Sequence, residues 1–461
     1  MQILRIINIV LLIALLVLGI ETIIKFNKNK DKFDKDVKKS LIMRIDILMI
    51  LSVLIAIITI ANIVIANNMK VEPQRIEPTP VKPSNPTTYD DREFNIKLIK
   101  TVNSTLKSNY LISPYSIEVA LNMLKEGAKD NTYNEINNLV NRTINDVSND
   151  KVKVANAIFV KNKFRNYIEE TFYNSLISKY NSEILYDEFK TPDVINNWVN
   201  EHTDNMIPKI LDIMDKDFVL GLANAIAIDV EWINEFECEN TSNREFTKID
   251  NSKINVEMMH QTYEYGNTKY FDFENITGIV IPYENDLEFV GIIPDNINNY
   301  IENLTNDKLN AIDNNLISAS NKLHIMLSLP RFSYSFSLNN FKSILISMGI
   351  KDVFDPANAN LTGIITRDNL GKLNGNYDNI YVDEAIHKTY IDLNEKGTKA
   401  AAVTYFGIKA NATAIEDYDI VNIEFNKPFI YMIRDTKNKE ILFFGVVYEP
   451  NIWNGSTCSE K

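Results

Sequence analysis

Four histidines, His202, His260, His324 and His387, are the side chains of this 461-residue chain best suited to acid-base or metal chemistry. None stands at metal-ligand spacing from another histidine or from Cys238 or Cys458. No Gly-x-Ser-x-Gly turn presents a nucleophile, and no phosphate loop or dinucleotide fingerprint occurs. The motif-bearing enzyme classes are therefore excluded, and neither a metal nor a cofactor is implied. Two cysteines make no disulfide framework. With Cys458 in a polar tail, both are expected to be unpaired thiols.

Residues 395–404, Glu-Lys-Gly-Thr-Lys-Ala-Ala-Ala-Val-Thr, suggest chemistry of another kind. An exposed loop favours Gly, Pro, Asn and Asp. This stretch holds Thr, Ala and Val, all small enough to enter a packed sheet. A strand-like run at 379–393 leads into it through Ile380, Val382, Ala385, Ile386, Tyr390, Ile391 and Leu393. Beyond it come Tyr405 to Ile408, a polar tip and a second apolar run from Ile420. Such a segment can be a loop in one state and a strand in another.

The elements that would position this segment occupy most of the chain. It is 45% hydrophobic, ample for a large core, and carries a net charge of −13. Residues 1–70 hold ten Lys/Arg and five Asp/Glu, hence +5, so the remainder carries −18. An acidic domain is a poor nucleic-acid binder, because phosphate affinity comes from Lys and Arg. Abundant Asn, Ile and Lys with 14 Gly suggest an AT-rich genome.

Two apolar runs, about 6–24 and 45–66, each approach the roughly 20 residues of a membrane span. The loop between them, 25–44, is basic, and positive loops stay cytoplasmic. The expectation is a membrane hairpin in residues 1–70, with the rest of the chain on the extracytoplasmic side. Pro73, Pro78, Pro80, Pro83 and Pro86 make 71–88 an extended spacer. One domain is then expected at 89–450, followed by the polar tail 451–461. Helical periodicity at 92–106 and after Ser113-Pro114 mixes with strand-like runs at 153–160, 218–230, 280–282, 287–294, 323–329 and 441–448. No βαβ regularity appears, so the class is α+β.

Several motifs in order resemble the serpin family over about 89–450. Asn109-Tyr-Leu-Ile-Ser113-Pro114-Tyr-Ser116 looks like its helix B motif. Val154-Ala-Asn-Ala-Ile-Phe-Val160 and Ile195-Asn-Asn-Trp198-Val199 look like further blocks. Leu222-Ala-Asn224, with Trp232 and Phe236, looks like the third strand of sheet A, and Leu329-Pro-Arg331-Phe like a later segment. His387-Lys388 and 395–404 look like the fifth strand and hinge. Phe425-Asn-Lys-Pro-Phe429 and Ile441-Leu-Phe-Phe-Gly445 look like the C-terminal signature.

The resemblance implies three β-sheets, about nine helices and an exposed reactive-centre loop. It also implies a suicide inhibitor, whose partner is a target serine or cysteine endopeptidase. The protease attacks the loop, forms an acyl-enzyme, and is trapped covalently when the cut loop inserts into sheet A. About ten newly paired residues, at ~1 kcal/mol of net hydrogen bonding each, would drive insertion. The alternative is a non-inhibitory binding or adhesion module.

Residues carry over one by one. Glu395, Gly397, Thr398, Ala400, Ala401, Ala402 and Thr404 match the hinge. Alternation from Thr398 turns Thr398, Ala400, Ala402 and Thr404 to the core. All four are small and uncharged. Lys399, where many inhibitory members carry Glu, would face solvent. Ser113, Ser116, Asn224 and His387 match the shutter, a buried polar network beneath the opening strands. Trp232 and the pair Arg331–Glu395 match the breach, where insertion begins. Residues 227–231, Ala-Ile-Asp-Val-Glu, depart from the usual aromatic-Lys-Gly pattern. Counting from Glu395 puts the reactive bond at Asn411–Ala412. Counting back from Pro428 gives Asp417, so Lys409, Ala410, Glu416 and Asp417 remain alternatives.

Overall fold

The computed structural model describes residues 92–373, 377–398 and 418–450, the short strand Gln74–Ile76 and scattered positions before residue 44. The chain divides into a unit up to Gln74 and a unit from Arg75 onward; the fold that follows is that of the second.

Apolar spacing builds its helices as expected. Glu93–Thr105 buries Phe94, Leu98, Ile99 and Val102 along one face. Helix α1, Pro114–Gly127, starts at Ser113, whose extended backbone and side chain cap the first turn by accepting from Ser116 N, with proline in that turn. Helix α2 is Asp193–His202. Nine α-helices lie between residues 93 and 371 among the described residues.

One sheet of seven strands forms the centre. Its strands Leu287–Pro294, Phe429–Asp435 and Ile441–Val447 are buried at every residue. A second sheet orders Asp419–Glu424, Leu323–Pro330, Lys253–Tyr263 and Ser242–Thr247.

The remaining strands form two groups rather than one sheet. The first contains β1, Val152–Lys161, β2, Ser182–Asp187, and β3, Leu220–Ile228. There β1 pairs with β2 in parallel and with β3 antiparallel. The second contains β4, Val230–Glu231, β5, Phe332–Ser337, β6, Lys388–Asn394, and β7, Gly397–Thr398, in the order β5-β6-β7-β4. The expected third sheet is therefore split. Among the described residues β3 and β6 share no hydrogen-bonded ladder; β7 lies between β6 and β4, the two-residue strand that follows β3 in the chain.

Other expectations are corrected. The strand-like run 379–393 is a strand only from Lys388. Upstream, Val382 N bonds Val353 O, so this backbone is satisfied outside any ladder. Cys238 is disulfide-bonded rather than a free thiol. Cys458 lies outside the described residues; the number of cysteines in a sequence does not fix which come together in space.

The membrane-anchored, extracytoplasmic localisation is also corrected. Among the described residues no helix is long and apolar enough to cross a membrane. Apolar composition in a run does not itself supply the roughly 20-residue helix that a span requires. Most of the runs 6–24 and 45–66 and of the loop 25–44 lies outside the described residues, as do most of 71–88 and all of 451–461.

Candidate functional site

The hinge residues begin where β6 turns back. Leu393 pairs with Thr398 and Asn394 with Gly397. On the other side Gly397 pairs with Glu231 and Thr398 with Val230. Both pairings are antiparallel, so β7 is a two-residue strand hydrogen-bonded on both edges. Gly397 is required by close approach, since a Cβ there would lie 2.1 Å from Val230 O. Thr398 is buried, and its hydroxyl lies 2.6 Å from the Tyr283 hydroxyl.

Around this rung every expected breach residue is present and partnered. Trp232 Nε1 donates to Asn394 O at 3.0 Å. Its ring stacks on Tyr283 at 4.1 Å between centroids. Arg331, 3% exposed, donates to Glu395 Oε1 at 3.1 Å and through Nε to Glu257 Oε2 at 2.9 Å. Thr241 Oγ1 donates to the same Glu395 oxygen at 2.7 Å, and Phe236 N donates to Glu395 O. This buried ion pair has the extra hydrogen bonds that its desolvation requires.

Further along β3 and β6 the arrangement changes. A cavity separates them, and Ser113, Ser116, Asn224 and His387 all line it. An adjoining one, lined by Ile226, Ile391 and Thr398, reaches the paired rung. Met206, Ile207 and Ile210, from the chain after α2, close the far wall.

Three of the four shutter residues form a chain of bonds. Ser116 N donates to Ser113 Oγ at 3.1 Å, and Ser113 N donates to His387 Nε2 at 3.0 Å. That bond needs an unprotonated Nε2. Complete burial agrees with it, pushing the imidazole down from 6.5 to about 4. Asn224 is not joined to them. Its Nδ2 donates to Asn156 Oδ1 at 2.8 Å, while its own Oδ1 is buried with no hydrogen-bond partner. Such an atom costs about 1–3 kcal/mol.

The sequence reading missed Tyr283, Thr241, Glu257 and Asn156. The first three come from distant segments and left no local signal. Asn156 could have been found, because β1 and β3 place it directly opposite Asn224. Ala400, Ala401, Ala402 and Thr404, and the candidate reactive positions Lys409, Ala410, Asn411, Ala412, Glu416 and Asp417, lie outside the described residues.

A family model, Serpin (serine protease inhibitor), matches residues 90–450. Human "Neuroserpin" is 28% identical over 377 residues, 76% of this chain and 88% of that protein. The "Leukocyte elastase inhibitor" of Xenopus tropicalis is 29% identical over 390 residues, 77% of this chain and 97% of that one. Among solved structures, the thermophilic serpin tengpin in its native state matches with a TM-score of 0.68 and 30% identity, covering 81% of this chain and 97% of that one. Tengpin in its latent state matches at 0.62, with 26% identity, 81% of this chain and 100% of that one.

Proposed function

Since the chain belongs to the serpin family, we propose that it is a suicide-type inhibitor. It traps a serine or cysteine endopeptidase as an acyl-enzyme by inserting its cleaved loop between β3 and β6. The observation that carries this reading is β7, a two-residue strand paired on both edges at one end of a slot that is otherwise unpaired among the described residues.

Extending both ladders from β7 gives each hinge residue two neighbours. Ala400 falls between Ile228 and Ile391, Ala402 between Ile226 and Thr389, and Thr404 between Asn224 and His387. Small side chains meet two isoleucines at the first rung and an isoleucine and a threonine at the second. At the third, a hydroxyl reaches the rung of the unpartnered Asn224 oxygen. Insertion thus adds backbone bonds and supplies a donor to a buried acceptor. The loop returns at Asp419–Glu424, parallel to Leu323–Pro330, so the bait lies between Thr398 and Asp419. Within it, Asn411–Ala412 is the bond we favour, because insertion length is counted from the hinge.

The decisive experiment exposes the full chain to a panel of serine and cysteine proteases. SDS-resistant covalent complexes are expected with at least one of them. Quantitative cleavage without any complex would instead support the non-inhibitory binding module.

A further inference from the structure

The last turn of α2 carries a histidine that loop insertion does not itself use. His202 stacks on Trp198, one turn earlier, at 4.4 Å between ring centroids. Its Nδ1 lies 2.8 Å from Trp198 O, and its Nε2 lies 3.1 Å from Glu183 Oε1 on β2. Glu183 is buried, and its other oxygen accepts from Trp198 Nε1 at 3.0 Å. A backbone carbonyl and an ionised carboxylate can only accept, so each ring nitrogen needs a proton. A neutral imidazole has one, and the imidazolium has both. The helix C-terminus and the indole face also favour its positive charge.

The charged groups on the elements around this turn are few. Between Leu220 and Ile228 β3 has none. On β1, Lys153 pairs with Asp204 at 2.7 Å and Lys161 donates to Lys216 O. Asp187 ends β2, and Arg75 belongs to Gln74–Ile76, the strand beside β2. Glu201, next to His202 in the chain, is exposed. Glu183 is the acid that meets the ring.

We propose that His202 is a proton-dependent pin that fastens α2 to β2 when charged and lets the helix end lift when neutral. Its consequence rests on the insertion reading above, because the wall of the slot moves with α2. Thr203 Oγ1 donates to Val199 O and accepts from Ile207 N. Asn196 Oδ1 accepts from Ile210 N and Leu211 N, both at 2.9 Å. Those bonds tie Ile207 and Ile210, which line the cavity, to the helix. A strand entering between β3 and β6 presses on this wall. The pin therefore slows insertion at low pH and releases it as pH rises.

The test reads α2 directly, by amide hydrogen exchange of the full chain corrected for intrinsic rates. Protection across Asp193–His202 should fall about tenfold from about pH 6 to about pH 8.5, the worth of one charge-assisted hydrogen bond. His387, at about 4, does not titrate in this window. His202→Arg, whose charge persists, should stay protected at both pH values, and His202→Gln should be weakly protected at both. A wild type without the step, or a step that persists in His202→Gln, would overturn the pin. Nitrogen NMR of the histidine rings checks it without any variant. Both His202 nitrogens should be protonated at about pH 6, and a neutral ring there would overturn the pin too. In a second arm subtilisin cuts the loop, and appearance of a urea-resistant form on native gels reports insertion. Wild type should insert about tenfold more slowly at the lower pH, and His202→Arg slowly at both. Equal wild-type rates beside a clear exchange step would overturn the link to insertion. If no cleaved chain becomes urea-resistant at either pH, the insertion reading falls, while the exchange step still decides the pin.

Discussion

The two ends of the slot between β3 and β6 are built on opposite principles. Around Thr398 the polar groups of the breach are partnered. The Arg331 guanidinium has two carboxylates, Trp232 has a carbonyl and a stacked ring, and both edges of β7 are bonded. Around Asn224, among the described residues, the strands share no ladder, a cavity opens, and a buried oxygen has no partner. The first end is a finished sheet and the second an unfinished one. On the insertion reading, the free energy to be gained lies in unpaired strand edges and an unsatisfied acceptor, rather than in weak packing throughout.

Thr398→Arg should break this contrast most completely. A guanidinium on the inner face at Thr398 is either buried unpaired or peels β7 from its neighbours. Covalent trapping should vanish and the loop become a plain substrate, scored as SDS-resistant complex against cleaved product. Trapping that survives would end the insertion mechanism. Glu395→Ala comes next, leaving Arg331 buried with one carboxylate. The intact chain should lose about 3 kcal/mol in denaturant unfolding, and a loss near zero would mean that the finished end does not depend on this pair.

Acid should act on the unfinished end. The pKa of His387 is about 4 when folded, against 6.5 for an ordinary histidine. The unfolded chain therefore binds the proton first. Stability contributed by this residue is intact above about pH 6.5 and declines as pH falls toward 4, by up to about 3 kcal/mol. His387→Gln should flatten that part of the stability profile. The smallest effect is expected from Asn224→Ala. It costs the intact chain about 1 kcal/mol through the lost bond to Asn156. The loop-cleaved chain should lose more, because Thr404 then has no acceptor on that rung. Equal losses would show that the two residues do not meet.

Legibility in the sequence followed the range of the interaction. Helix α1 was readable because Ser113, Pro114 and the apolar spacing after them act within a few residues. The buried strands Leu287–Pro294 and Ile441–Val447 were readable as short apolar runs. The run 379–393 misled because apolar residues pack equally well in irregular backbone, as Ile380 does. Breach and shutter were legible only through resemblance. Their partners Tyr283, Thr241 and Glu257 come from segments far apart in the chain, and no local pattern announces such a long-range hydrogen bond.

The sequence by itself determined a stretch of small residues with two lysines in it, an acidic domain and a set of motifs in serpin order. It determined these because composition and alternation are local properties. Only the tertiary structure decided where the sheet is open among the described residues, that β7 already occupies the end of the gap, and which side chains flank Thr398. Those depend on strand register, which is set when segments distant in sequence compete for the same backbone hydrogen bonds.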